Sequence, residues 1–374
     1  MLDHVVVTAR VKSATAFELP ASISAMQLDG GANRPNVGLS EYLDTVPGLL
    51  ARDRQNHAQD TQLSIRGFGA RATFGVRGLR LYSDGIPATM PDGQGQISHF
   101  SLLAGDRIEV MRGPFSALHG NSSGGVIQLW SADGASPPEL RVQGSAGRYD
   151  SYRLGARLLG AHDAIDYNIA AAIFDTQGYR RHSAAQRRSG NIKIGFDTGH
   201  DGRLTLVTNL FDTPRAQDPL GLTWEQVRAD PRQASPSALQ YDTRKRIRQN
   251  QIGLRFEQSL ANGHSLNLMS YGGSRRITQY LSVPVAVQNN PLHAGGISDL
   301  GNEYGGIDAR WSWQGELSGR PFEITAGGNF DKQRQHRRGF ENFIGDRLGV
   351  RGALRRDEML SPPARAAAVM IRRQ

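Results

Sequence analysis

Ile165-Asp166-Tyr167-Asn168-Ile169-Ala170-Ala171-Ala172-Ile173-Phe174 is the longest candidate in this chain for an apolar membrane-crossing segment. It is too short to cross as a helix, which needs about 20 consecutive apolar residues. Its period is also wrong for a helix. Tyr167, Ile169, Ala171 and Ile173 fall at every second position, so an extended chain puts them on one face. The stretch reads as a strand, and the same alternation recurs on both sides of it. Leu140 and Val142 alternate with Arg141 and Gln143. Leu154, Ala156 and Leu158 alternate with Arg153 and Arg157. Ile192, Ile194 and Phe196 are set against Asn191 and Lys193, and Leu204, Leu206 and Leu210 continue the series. Ile252, Leu254 and Phe256 alternate with Gln251, Arg255 and Glu257, and Phe322, Ile324 and Ala326 with Glu323 and Thr325. Alternation and turns together predict about nine or ten such strands from Leu140 onward.

The connections alternate in length. Gly199-His200-Asp201-Gly202 and Ala261-Asn262-Gly263-His264 are tight hairpin signals, whereas Pro214 to Thr243 and Ser282 to Gly301 are long and polar. Short turns at one end and long loops at the other are the pattern of a transmembrane β-barrel. A soluble antiparallel sandwich is the competing architecture, and the strand length and long alternate loops favour the barrel. Tyr149, Tyr152, Tyr167, Trp311 and Trp313 lie near strand ends, where an interfacial aromatic girdle or ordinary strand packing would each use them.

Composition agrees with export. The chain has 374 residues, 38% of them apolar, with a mean hydropathy of −0.45. It has no cysteine, which excludes disulfides, thiolate chemistry and Cys-ligated metals. The net charge is +9, and the excess is nearly all arginine, since Lys12, Lys193, Lys245 and Lys332 are the only lysines. The arginines are scattered, so no nucleic-acid footprint is expected. Met1-Leu2-Asp3-His4 has neither a basic region nor an apolar one, so no secretion signal is read in this chain.

Residues 1 to 134 read differently, with short apolar runs, many glycines and a few helical stretches, closed by the turn-like Asp133-Gly134-Ala135-Ser136-Pro137-Pro138. Val5, Val6 and Val7 form a β-prone segment suited to strand addition onto a partner or to internal pairing. Leu39 to Thr45 reads as a short amphipathic helix stopped by Pro47-Gly48. Ile65, Leu81 and Ile108 to Val110 read as central strands of a small sheet, and Asp84-Gly85 as a tight turn. His57, His99 and His119 lack ligand-like spacing, and loop or surface positions are expected for them.

Four blocks carry a family resemblance. They are Asp3-His4-Val5-Val6-Val7-Thr8-Ala9; Leu39-Ser40-Glu41-Tyr42-Leu43-Asp44-Thr45-Val46-Pro47-Gly48-Leu49; Leu63-Ser64-Ile65-Arg66-Gly67-Phe68-Gly69 with Leu81-Tyr82-Ser83-Asp84-Gly85-Ile86-Pro87; and Asp106-Arg107-Ile108-Glu109-Val110-Met111-Arg112-Gly113-Pro114 running into Leu118-His119-Gly120-Asn121-Ser122-Ser123-Gly124-Gly125-Val126-Ile127. In order and spacing the chain resembles the TonB-dependent outer-membrane receptors. It departs from the family at His119, where a tyrosine is common, at Ser123, often alanine, and at Gln128, often asparagine.

The resemblance implies an α+β plug domain at residues 10–134, preceded by a TonB box at residues 1–9 and followed by an antiparallel transmembrane β-barrel at 135–358. That barrel would be incomplete, because the family closes about 22 strands. Residues 359–374 are read as a non-barrel tail, and the chain as a truncated or frameshifted, inactive copy. The resemblance further implies the outer membrane of a Gram-negative cell, a scarce ligand such as a ferric siderophore, and TonB with its inner-membrane energising complex and outer-membrane lipid as partners. Asp3, His4, Val5, Val6, Val7, Thr8 and Ala9 would contact TonB. Arg66 and Arg112 would lock the plug by pairing with barrel-wall carboxylates, and a charge buried there without a partner would cost several kcal/mol. Thr89, Met90, Pro91, Asp92, Gln94 and Gln96 are the expected ligand-contacting apex. No extra domain is seen before the box, so a transcription-signalling role is not expected.

No cofactor, resident metal or enzyme activity is expected, since there is no Walker loop, no G-x-S-x-G and no H-E-x-x-H. Two alternatives stand beside this reading. One is a soluble periplasmic or surface β-rich ligand-binding protein. The other is an outer-membrane phospholipase, which would need an outward Ser/His pair that the sequence does not offer.

Overall fold

The computed structural model describes residues 6–7, 14–15, 22–28, 37–72, 75–95, 97–113 and 122–361, together with the backbone of 363–373. The first part contains β1 (Val6–Val7), β2 (Ala14–Thr15), β3 (Ser22–Gln27), a single helical turn α1 (Ser40–Leu43), β4 (Leu49–Arg52), β5 (Gln62–Ile65), β6 (Leu79–Ser83), β7 (Ile86–Pro87), β8 (Gly105–Arg112) and β9 (Gly125–Ser131). Five of these strands form a mixed sheet in the order β3-β8-β9-β6-β7, with β6 and β9 parallel. Its core is made only of residues from this part. Leu43, Leu63, Ile65, Leu79, Leu81, Ile108, Ile127 and Leu129 are fully buried in one cluster. β6 and β8 are central, as expected, whereas Ile65 lies in a separate two-stranded hairpin of β4 and β5. Asp84 and Gly85 make the β6–β7 turn at φ +52° and +79°. Both angles are positive, which is the requirement of a type I′ hairpin.

The second part is one antiparallel sheet wrapped around the first. Its strands are β10 (Glu139–Gly147), β11 (Ser151–His162), β12 (Ile165–Thr176), β13 (Ala185–Gly199), β14 (Gly202–Gln217), β15 (Arg244–Ser259), β16 (His264–Tyr280), β17 (Ile297–Leu317) and β18 (Arg320–Phe340). The hairpin β19 (Phe343–Ile344) and β20 (Arg347–Leu348) decorates the next loop, and β21 (Leu354–Leu360) and β22 (Pro363–Arg373) follow. Neighbours in the sheet are neighbours in sequence. The tight turns at 163–164, 200–201, 260–263 and 318–319 fall at one end, and the long loops at 218–243 and 281–296 at the other, where the short 148–150 turn also lies.

The tail reading is corrected here. Leu360 pairs with Gln335 and Pro363 with Lys332, so β21 and β22 share one register and together make a tenth strand along β18. Ala364, Ala366, Ala367 and Ala368 give no apolar–polar contrast, so alternation was invisible there, while ladder hydrogen bonds come from the backbone. The ten strands do not close. Among the described residues, nothing pairs with the outer edge of β10 or of the β21–β22 strand.

The two faces of this wall have opposite chemistry. Leu140, Val142, Leu154, Ile169, Ile252 and Ile307 stand exposed on the outside, Leu140 at 67% and Ile307 at 61%. Arg153, Arg157, Asn168, Asn191, Lys193, Gln249 and Gln251 point inward and are buried against the first domain. A soluble protein would not leave so continuous an apolar face in water. Trp311, Trp313 and Phe322 gather with His264 at the short-turn end, at ring separations of 5.5–6.4 Å. That is where an interfacial belt would sit.

Candidate functional site

The polar inner face of the wall is used by the plug, and the contacts are arranged by depth. At the short-turn end, Lys193 donates from Nζ to the Ser131 carbonyl at 2.9 Å and to Asp133 Oδ1 at 2.7 Å, with Asp84 Oδ1 at 3.8 Å. Asp84 also accepts from the Ser131 amide and hydroxyl, both at 2.8 Å. It is therefore a buried anchor as well as a turn residue. At mid-depth Arg80 lies 3.6 Å from Asp331, whose Oδ1 accepts from the Tyr271 hydroxyl at 2.8 Å. Gln251 donates to the Pro87 carbonyl at 2.7 Å. Ile86 packs against Gly253, where any Cβ would lie 2.3 Å from its Cδ1. Arg275, only 1% exposed, donates to Ser98 Oγ at 2.8 Å and to Gln249.

At the long-loop end the plug presents residues 53–61. Gln55 takes φ +53°, and its amide donates to Asp53 Oδ1 at 2.8 Å, which turns the chain back. Asn56 and Gln59 both donate to the Asp218 carboxylate, at 2.8 and 2.7 Å, where the long 218–243 connection leaves the wall. Asp60 accepts from Lys245 Nζ at 2.9 Å. Burial alone would raise the Asp60 carboxyl, but Lys245, with Arg275 and Arg187 behind it, holds it below its ordinary value. His57 meets Phe174 edge-on at 5.1 Å, and burial beside Arg187 lowers it to about 3. His99, 3% exposed against Tyr304, is lowered to about 3 by burial and then by Arg275. The surface reading of His99 is thus corrected. Between this segment and the wall runs a crevice of about 120 Å³, lined among others by Asp53, His57, Asp60, Ser98, Arg153 and Arg187.

The expected site residues divide. Thr89 and Met90 are 1% and 2% exposed. Thr89 Oγ1 accepts from the Leu81 amide at 2.8 Å, and Met90 packs with Ile86, Val207, Tyr271 and Tyr304. They hold the plug and offer no surface to a ligand, because the β6–β7 hairpin turns them inward. Pro91, Asp92 and Gln94 are partly open. The Asp92 amide donates to Gln333 of the wall at 3.1 Å, and Asp92 Oδ1 accepts from the Gln94 amide at 2.9 Å. Gln96 lies outside the described residues, as do Asp3, His4, Val5, Thr8, Ala9 and His119. Val6 and Val7 pair with Thr15 and Ala14.

Neither expected lock arginine reaches a wall carboxylate among the described residues. Arg112 donates to the Pro47 carbonyl at 2.6 Å and to Ser24 Oγ at 2.9 Å, inside the plug. Arg66 takes φ +49° and is exposed, as are Leu50 and Phe68. The pairs that do join plug and wall, among them Asp60–Lys245, Arg80–Asp331 and Asp133–Lys193, were not singled out from sequence. The run Asp53-Arg54-Gln55-Asn56-His57-Ala58-Gln59-Asp60, polar between two apolar strands, was the available signal.

Comparison with known proteins agrees with this architecture. Residues 15–126 match the family model of the TonB-dependent receptor plug domain. The chain is 27% identical over 187 residues to a hemin receptor of Yersinia enterocolitica, covering 48% of this chain and 26% of that protein. It is 30% identical over 146 residues to the ferrichrome outer membrane transporter/phage receptor of Escherichia coli K12, covering 37% and 18%. Among solved structures, the unliganded ferric citrate transporter FecA superposes with a TM-score of 0.71 at 21% identity, over 93% of this chain and 51% of that one. The ferric yersiniabactin uptake receptor of Yersinia pestis gives 0.64 at 17%, over 85% and 49%. The matches therefore span about a quarter or less of the length of those curated relatives and about half that of the solved ones.

Proposed function

We propose that this chain, whose residues 15–126 match the TonB-dependent receptor plug domain, supplies the plug and ten wall strands of a TonB-dependent outer-membrane receptor that imports a scarce iron chelate, a ferric siderophore first among the candidates. The observation that carries this reading is the plug held inside a wall that is polar within and apolar outside. Such a wall is stable only in a bilayer, and the plug within it obstructs free diffusion, so transport must be gated. The family's members are receptors and transporters. The relatives named for hemin and ferrichrome support iron chelates as the ligand class.

Ligand would bind at the long-loop end, above residues 53–61 and the open part of 91–94. The segment around Val6 and Val7 would leave β2 and add as a strand to TonB. Arg66 would serve as a lock from its exposed position, toward wall strands other than these ten.

The reading is tested by titrating ferric siderophores, ferric citrate and hemin against a receptor carrying this plug and wall, with quenching of intrinsic tryptophan fluorescence as readout. Saturable binding of at least one chelate is expected. Absence of saturable binding across the panel overturns the proposal.

A further inference from the structure

The crevice behind residues 53–61 carries a charge that ligand binding above them does not explain. Its wall side is one cross-strand row. Arg153 on β11 stands opposite Phe174 on β12, and Phe174 opposite Arg187 on β13. All three face the plug. His57 meets the Phe174 ring, and Arg187 donates from Nη1 to the Val37 carbonyl at 3.3 Å. Arg153 is 8% exposed and lines the same space. Two strand spacings separate the arginine backbones, roughly 10 Å, so one small ion between them is within reach of both side chains.

Neither arginine makes an ion pair among the described residues, and Arg153 makes no hydrogen bond among them either. The neighbouring carboxylates are engaged elsewhere. Asp60 accepts from Lys245 at 2.9 Å, and Asp53 Oδ1 from the Gln55 amide at 2.8 Å. Glu41 accepts from the amides of Val37 and Gly38, both at 2.8 Å. His57 is neutral and supplies no countercharge. A buried guanidinium without a counter-ion costs several kcal/mol. The row therefore calls for an anion.

The surroundings limit which anion fits. The space of about 120 Å³ equals the liquid volume of about four water molecules, too little for an iron chelate. Toward the loops the seam is shut by Ala58 against Ala185 and Ala216, and by the Ser151 and Thr176 hydroxyls, which bond at 2.6 Å. In the other direction Leu103 occupies the place of a side chain on Gly155, where a Cβ would lie 2.8 Å from its Cδ2. Phe174 and Ala172 make part of the lining apolar. A phosphate would lose hydration against them on every side, whereas a small carboxylate turns its carbon end that way. Its two oxygens match the planar fork of a guanidinium.

We propose that this crevice binds one carboxylate anion of formate or acetate size, held by Arg153 and Arg187 beside Phe174, and that the bound anion fastens residues 53–61 to the wall. An anion that binds only the docked plug stabilises docking by mass action. The site lies behind the segment over which a chelate would bind, so it needs no assumption about the imported ligand.

The test uses the 374-residue chain refolded in neutral detergent micelles, in chloride-free buffer near neutral pH, titrated by calorimetry. Acetate should saturate one site per chain with a Kd of about 1 mM or tighter. Acetamide, of the same shape without the charge, should not bind, and inorganic phosphate should bind about ten-fold more weakly or worse. Saturating acetate should raise the urea midpoint for protease cleavage within residues 53–61, and acetamide should leave it unmoved. Arg153→Gln should weaken acetate about ten-fold with unchanged strand circular dichroism. Arg153→Lys, which keeps the charge and loses the fork, should recover part of that loss. Absence of saturation, equal binding of acetate and acetamide, or unchanged binding by Arg153→Gln overturns the site. Equal binding of phosphate overturns its assignment to carboxylates, and acetate binding without protection of residues 53–61 overturns the fastening. Should Arg153→Gln fail to fold, the comparison of acetate with acetamide on the unaltered chain decides by itself.

Discussion

Lys245 and Asp60 are the residue pair on which the loop-side end of the plug most depends. The pair is largely buried, with side-chain exposures of 8% and 21%. Removing one charge strands the other. Lys245→Met leaves Asp60 with only Arg275 and Arg187 nearby, so we expect a loss on the order of 1–3 kcal/mol. It should appear as a lower urea midpoint for protease cleavage in residues 53–61, and an unchanged midpoint would show that the pair contributes nothing. His57 and His99 give the same interface a pH dependence. Both are held neutral, lowered from 6.5 to about 3, by burial and then by Arg187 and Arg275 respectively. An undocked plug therefore takes up protons that the docked one refuses. Docking stability is complete above about pH 6.5 and is lost as pH falls toward 3. Asp60 contributes its own loss only below the ordinary carboxylate range, so the window from pH 6.5 to 4.5 belongs to the histidines. The urea midpoint should fall across that window, and His99→Gln should flatten the fall. An identical pH slope in the variant would remove His99 from the account.

At the scale of elements, β1 and the plug sheet lead to separate expectations. β1 is two residues long and, among the described residues, pairs with β2. Val6→Pro removes a backbone donor and fixes φ, which blocks strand addition. In a full-length receptor, ligand binding should persist while uptake stops. Undiminished uptake would exclude Val6 from the TonB contact. The plug sheet has a core drawn wholly from its own residues. Expressed alone, residues 10–133 should be soluble and show an α+β circular dichroism spectrum with cooperative thermal unfolding. A random-coil spectrum would mean that the wall is needed for the plug to fold.

At the scale of the molecule, ten strands leave two edges without partners among the described residues. In a bilayer each unpaired amide or carbonyl costs several kcal/mol, and in water such edges template aggregation. Expressed with a signal peptide, this 374-residue chain should be degraded or aggregated and should lack the heat-modifiable gel band of a closed barrel. Appearance of that band would mean that the edges close by a route absent here, for instance between two copies.

The sequence by itself determined the strand character from Leu140 onward, the turn at Asp84-Gly85 and the order of the plug-like motifs, because each is written in local periodicity, turn chemistry or motif spacing. It also determined that β12 and its neighbours have one apolar and one polar face. Only the tertiary structure decided what the polar face is for. Arg275, Lys193 and Lys245 look like solvated strand residues until the plug stands against them. Thr89 and Met90 look apical until the β6–β7 hairpin turns them toward Leu81 and Tyr271. The β22 half of the tenth strand was likewise invisible, since alanine gives no contrast and pairing is made by the backbone. Contacts between residues more than a hundred positions apart leave no trace in local pattern, because the charge that satisfies each buried group is supplied by another part of the chain.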